Sequence, residues 1–206
     1  MDFVFVIAIL MMSVILHEIS HGYVAYILGD QTAKYAGRLT LNPLKHLDFF
    51  GSILLPLILA ISRAGFIIGW AKPVPFNPYN LKNQKWGPAI IGAAGPLSNI
   101  FIAVIFGLMM RFGIQYSFLS SSLLNITKFV ININLLLAVF NFIPVPPLDG
   151  SKLLFAILPY KYQHIQYTLE RYGFFLLLIL IFFFGLGRVI LPIVSFLFKL
   201  ITGLNI

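Results

Sequence analysis

Five stretches of this chain are apolar over lengths near or above the roughly 20 residues that a bilayer requires of a spanning helix: residues 3–28, 50–69, 87–112, about 127–143, and 172–200. Of the 206 residues, 60% are hydrophobic and only 10% are charged, where soluble globular domains carry nearer 25% charged residues. Nothing outside the apolar runs is long enough to build a soluble core of its own. The expected fold is an all-α polytopic membrane protein, a single integral membrane domain over residues 1–206 with four to six transmembrane helices.

Residues 3–28 begin after Asp2 rather than a basic n-region, and their polar residues fall where a signal peptide carries its apolar core or cleavage site. A retained helix is expected. The fourth run is at the short end of what spans a membrane. The last is interrupted by Gly185, Gly187, Arg188 and Pro192, which allows one kinked helix or a helical hairpin over about 172–200. The connectors at 34–41 and 72–78 read as extended, β-like membrane-associated loops, the second because its prolines preclude a helix. A net charge of +8 does not point to nucleic acid, since no basic helix or aromatic-interleaved basic patch is present. The basic residues instead flank the apolar runs. With no cysteine in the chain, disulfide and thiolate chemistry are excluded.

The first run contains His17-Glu18-Ile19-Ser20-His21, an H-E-x-x-H pattern. At 3.6 residues per turn, His17 and His21 share one helix face a turn apart, so both imidazoles reach one tetrahedral metal ion. Glu18 sits beside that face, where a carboxylate can take a proton from metal-activated water. Ionisable groups inside an apolar helix cost on the order of 2.5–3.5 kcal/mol at mid-membrane, so they mark function by default. A buried His and Glu pair bonding neighbouring helices is the plainer alternative.

Two histidines leave a catalytic zinc site one protein ligand short. Asp149, between the prolines that end the fourth run and Gly150, is the candidate third ligand, although Asp-Gly by itself is chiefly a turn dipeptide. Asp2, Asp30, Asp48 and Glu170 stand at connectors or helix ends and are expected to be solvated.

Four motifs occur in order: His17 to Gly22 in the first run, the stretch from Gly69 to Pro78, Gly95-Pro96-Leu97-Ser98-Asn99, and Asn-x-x-Pro-x-Pro-x-Leu-Asp-Gly from Asn141 to Gly150. Together they resemble the site-2 protease family of intramembrane zinc metalloproteases, over roughly residues 10–160. The resemblance implies a catalytic core over about 3–158, one zinc ion per chain held by His17, His21 and Asp149, and Glu18 as general base. It further implies Asn141 as a residue that holds substrate or the developing oxyanion, and Asn99 as a substrate contact or a helix-packing residue. The PDZ-type insert and the helix before the H-E-x-x-H helix that larger members carry are not expected here.

The implied activity is hydrolysis of peptide bonds within or beside transmembrane helices, with membrane proteins as substrates and the lipid bilayer as surroundings. The implied place is the cell membrane of a prokaryote. A zinc transporter or metal-binding membrane protein is the alternative, disfavoured because the third and fifth runs contain no His, Asp or Glu. Residues 72–78 are expected to offer a short strand edge to an unwound substrate.

Metal geometry adds a topology. His21 lies about 27 Å along the first run at 1.5 Å per residue, and Asp149 lies just past the end of the fourth, so those ends must share one side. The third and fourth runs cross twice, so residues 50–69 are expected to enter and return rather than cross, turning near Arg63 and Gly65. Lys34, Arg38, Lys45, Lys72, Lys82, Lys85, Lys152, Lys161 and Arg171 then all lie in cytoplasmic loops, and residues 113–126, with no basic residue, lie outside. The active site is expected nearer the cytoplasmic side.

Overall fold

The computed structural model describes residues 3–54, 57–58, 61–62, 69–117 and 119–204. Helix α1 spans Phe3–Ile27, α2 Gly87–Gln115, α3 Ser121–Asn141, α4 Gly150–Ile157, α5 Gln163–Phe182 and α6 Gly187–Thr202. Four of them, α1, α2, α3 and α5, are long and apolar enough to cross a membrane. Among the described residues the regular structure is helical and there is no strand.

α2 is the hub of the bundle, packed against α1, α3, α4 and α6. A core of Ala103 and Met110 from α2, Ile131 and Leu135 from α3, and Ile190, Val194 and Phe198 from α6 holds three helices together. The α6 members recur every fourth residue, so one stripe of that helix is buried and the rest is not. In lipid, such contacts stabilise through close packing rather than through escape from water. The consequence is a packed frame on the C-terminal half of α2, which leaves its N-terminal half to meet the histidines of α1 and the loop that follows α3.

Three sequence expectations change, and the alternative left open for the last run resolves. α3 begins at Ser121, with the Ser120 hydroxyl accepting from the Leu123 amide as an N-cap, so the fourth run is a full-length helix rather than a short one. The last run is two helices: α5 starts at Gln163 with a polar face absent from the apolar run, and Gly185, in the left-handed region at φ +60°, breaks the chain before α6. The connector at 34–41 is not extended, because Thr32–Tyr35 forms a helical turn. Residues 72–77 are irregular rather than strand, their prolines leaving few donors for a ladder.

The two ends of the 50–69 run lie side by side. The Trp70 amide donates to the Gly51 carbonyl (3.1 Å), the Ser52 hydroxyl to the Trp70 carbonyl (2.8 Å) and the Lys72 amide to the His46 carbonyl (2.8 Å). Residues so paired cannot stand on opposite faces of a bilayer, so both ends of the run lie on one side. It opens with a π-helical turn at Phe49–Leu54. The turn expected at Arg63 and Gly65 lies outside the described residues.

Candidate active site

The H-E-x-x-H face of α1 points into the bundle. His17 and His21 are both buried, and α2 passes directly over them. Gly95 permits that approach: a Cβ there would stand 2.6 Å from His17 Nε2 and closer still to His21 Nε2. α2 supplies more than a lid. His17 Nδ1 donates to the Asn99 Oδ1 (3.0 Å) and His21 Nδ1 to the Ile91 carbonyl (2.6 Å). With each Nδ1 donating to an acceptor, a ring that serves as a metal ligand would present its Nε2 lone pair on the other side.

Both Nε2 atoms converge on Asp149. Its Oδ2 lies 3.0 Å from His17 Nε2 and 3.1 Å from His21 Nε2, and the three side chains can present ligand atoms all within 4.8 Å of one another. Asp149 arrives there because Pro144, Pro146 and Pro147 end α3 and a tight loop returns the chain to start α4. Gly150 serves space rather than turn geometry, since a Cβ would overlap the Phe142 carbonyl. The second carboxylate oxygen, Oδ1, accepts from the Lys152 ammonium at 2.8 Å, which leaves Oδ2 for a single bond to the cluster.

This donor set fits zinc. Two imidazole nitrogens and one carboxylate oxygen are the ligand types of a three-protein-ligand catalytic site, and each histidine has the outer partner that orients ligating imidazoles. With Nε2 deprotonated, as metal ligation requires, these three buried atoms could hold a cation between them.

Glu18 lies beside the cluster, half-buried, and its Oε2 accepts from the Val74 amide at 2.9 Å. That bond brings the 72–78 connector over the histidines. Asp30 anchors the connector's far end. Expected to be solvated, Asp30 is instead fully buried: it accepts from the Asn77 amide (2.6 Å), the Asn80 side chain (2.8 Å), and the Thr32 amide and hydroxyl (3.1 and 2.6 Å). Burial alone would raise its carboxyl pKa, but these donors outweigh it and hold the group below its usual 3.8.

His17, Glu18, His21, Val74, Asn141 and Asp149 line one cavity of about 150 Å³. The Asn141 side chain faces it with its NH₂ turned back to the Leu137 carbonyl (2.9 Å). Asn99 is not among the residues that line it. It is fully buried behind His17, and its side-chain oxygen pairs with the histidine ring. Sequence reasoning missed the Val74 amide and Ile91 carbonyl, which carry no side-chain signal, and counted Lys152 only as a topology marker.

An H-E-x-x-H helix, a carboxylate from a second element and a cavity walled by membrane-length helices define a metal-dependent peptidase of the membrane. Comparison with known proteins agrees. Residues 112–180 match the model of peptidase family M50. The chain is 39% identical over 181 residues to YwhC of Bacillus subtilis, covering 85% of this chain and 79% of that protein. It is 31% identical over 198 residues to Rip2 of Mycolicibacterium smegmatis, covering 90% and 70%. Both relatives are named as candidate zinc metalloproteases. The zinc metalloprotease MJ0392 of Methanocaldococcus jannaschii is 29% identical over 160 residues, covering 78% of this chain and 36% of that protein. No solved structure matches the chain. The chain belongs to peptidase family M50, the site-2 protease family of zinc metalloproteases.

Proposed function

We propose that this metalloprotease cuts other membrane proteins within or beside their transmembrane helices, as a step of regulated intramembrane proteolysis in the cell membrane of a prokaryote. The observation that carries the reading is the position of the His17, His21 and Asp149 cluster, buried between helices long enough to cross a bilayer. A peptide bond must come to that depth to be cut. His17 Nε2, His21 Nε2 and Asp149 Oδ2 would hold one zinc ion per chain. Zinc bound there supplies a Lewis acid for the scissile carbonyl and lowers the pKa of water towards about 7.

Glu18 takes the proton of the attacking water as its oxygen bonds to the carbonyl carbon, and passes it to the leaving amine as the C–N bond breaks. The Val74 amide aims the carboxylate for both transfers. Asn141, on the cavity wall, can turn its NH₂ from the Leu137 carbonyl to the carbonyl oxygen as charge develops there. A helical substrate hides its carbonyls in its own hydrogen bonds, so it must unwind locally first. Gly, Pro, Asn or Ser near the cut site should favour cleavage.

The test is co-expression with single-span membrane proteins, comparing the native chain with Glu18→Gln, alongside metal analysis. The reading expects a product with the native chain only, about one zinc per chain in both, and zinc lost in His21→Ala. Cleavage by Glu18→Gln at the native rate would refute the assigned base. A zinc-loaded native chain that moves the metal across vesicles without cutting any span would instead favour transport.

A further inference from the structure

Next to the catalytic cavity lies a larger one of about 490 Å³, between the start of α2, α4 and the first turns of α5. Phe76 and Lys152 line both. The Lys152 ammonium stands 5.5 Å from the centroid of the Phe76 ring and 2.8 Å from Asp149 Oδ1, so the two cavities share a wall one ring and one ammonium thick. Clefts that enclose a ligand run to about 300–1,000 Å³. The catalytic cavity falls below that range and can hold a scissile peptide group without the chain beyond it; the neighbouring one falls within it.

The lining identifies the occupant. Gln84, Gln163 and Gln166 present side-chain amides, each with donor and acceptor groups that match a polypeptide backbone. Gln166 donates to Glu170 at 2.9 Å, which fixes one end of that polar row. Pro88 and Phe155 add apolar surface beside it. α5, whose polar first turns form one side, buries only Gly173 and Leu177 in the bundle, so those turns are not spent on holding the fold. An apolar helix would leave these amides unpaired, whereas an extended polar chain satisfies them.

We infer that this cavity binds the extended, polar segment of the substrate that adjoins its transmembrane helix on the metal-site side. The inference rests on the peptide substrate proposed above and adds where its flank is held. It makes Gln163 and Gln166 specificity residues, outside the groups that perform the chemistry.

The experiment uses the full chain carrying Glu18→Gln in detergent, with fluorescent synthetic peptides as probes. One is a Leu/Ala-rich span of about 20 residues with a central Gly-Asn-Pro; two others add a Ser/Gln/Asn flank at the N- or the C-terminal end. One flanked peptide should bind at least about tenfold more tightly than the bare span, equivalent to 1.4 kcal/mol. Filling the cavity with Gln163→Trp and Gln166→Trp should erase that advantage and leave the bare span's affinity unchanged, with zinc content and unfolding midpoint confirming an intact fold. An advantage that survives filling, or no advantage for either flank, overturns the inference. So does an advantage that survives while filling displaces co-purified phospholipid, which would assign the cavity to a lipid headgroup. Cleavage of the bare span by the Glu18 enzyme tests the protease reading separately, because that peptide has no flank to place.

Discussion

The Glu18 carboxylate and the Val74 backbone amide are hydrogen-bonded at 2.9 Å across 56 residues of sequence. An otherwise mobile side chain on α1 is thereby aimed by a loop whose own position depends on Asp30. Since carboxylates accept strongly from amides, the contact fixes where the proton of the attacking water goes. Val74 itself is buried against Gly22 on α1, so loop and helix are matched in shape as well as charge.

Val74→Pro deletes the donor in a segment already rich in proline, while Val74→Ala keeps it. A hydrogen bond to a charged group contributes about 1.5–3 kcal/mol, which corresponds to a fall in kcat of roughly 10- to 100-fold if it is all used in aiming Glu18. Val74→Ala should stay within a few-fold of native, and both variants should retain zinc. Steady-state cleavage together with metal analysis checks this; equal rates for Pro and Ala would remove the amide from the mechanism.

Asn99 gives a second prediction, on metal rather than turnover. Outer partners of ligating histidines typically contribute 10- to 100-fold in metal affinity. Asn99→Leu, similar in size and unable to accept from His17 Nδ1, should weaken zinc by that range in a chelator competition. Asn99→Asp keeps an acceptor and should hold zinc at least as well as Leu does. Native affinity in the Leu variant would reduce Asn99 to a packing residue.

How much of this was readable beforehand follows from distance along the chain. His17, Glu18 and His21 were legible because a helix alone sets their spacing, and Asp149 because prolines and a glycine announce the loop that carries it. Asn99 and Ile91 acquire their roles only where α2 crosses α1, and no local pattern reports a crossing. Asp30 was misread for the same reason. An aspartate after a helix and a glycine looks solvated until Asn77 and Asn80 fold back from 47 and 50 residues away to bond it. The break at Gly185 was visible, but one kinked helix or two depended on how α6 buries its stripe against α2 and α3.

The Asp30 latch has a pH signature. Its folded pKa is depressed, so the carboxylate stabilises the fold fully above about pH 4, and this is lost as pH falls through the folded value below 3.8. Asp30→Asn turns an acceptor into a donor facing the Asn77 amide or the Asn80 side chain, at a cost of about 1–3 kcal/mol for a buried group left unpaired. In thermal unfolding the gap between native and variant should be constant at pH 5–7 and close as pH drops below about 4. A gap that widens on acidification would show that the native group is held protonated.

The chain has no cysteine, which makes its topology directly testable. Residues 46–52 are hydrogen-bonded to 70–72, and the Lys82 amide donates to the Leu28 carbonyl at 3.2 Å just past the end of α1. Both connectors therefore gather at the metal-site end of the bundle, with Lys45 and Lys82 exposed. Tyr116 caps the other end of α2, 29 residues long, about 43 Å away at 1.5 Å per residue. A helix of that length spans the bilayer, so a single cysteine at Lys45 or Lys82 should react with an impermeant maleimide from one side and a cysteine at Tyr116 from the other. By the positive-inside rule, the basic residues of the three connectors at the metal-site end lead us to propose that this side faces the cytoplasm. Labelling of intact cells should then reach position 116 alone, and positions 45 and 82 should react only after the membrane is opened. If 45 and 82 label from opposite sides, residues 50–69 cross the membrane, and the contact between Gly51 and Trp70 that brings this run back on itself cannot exist.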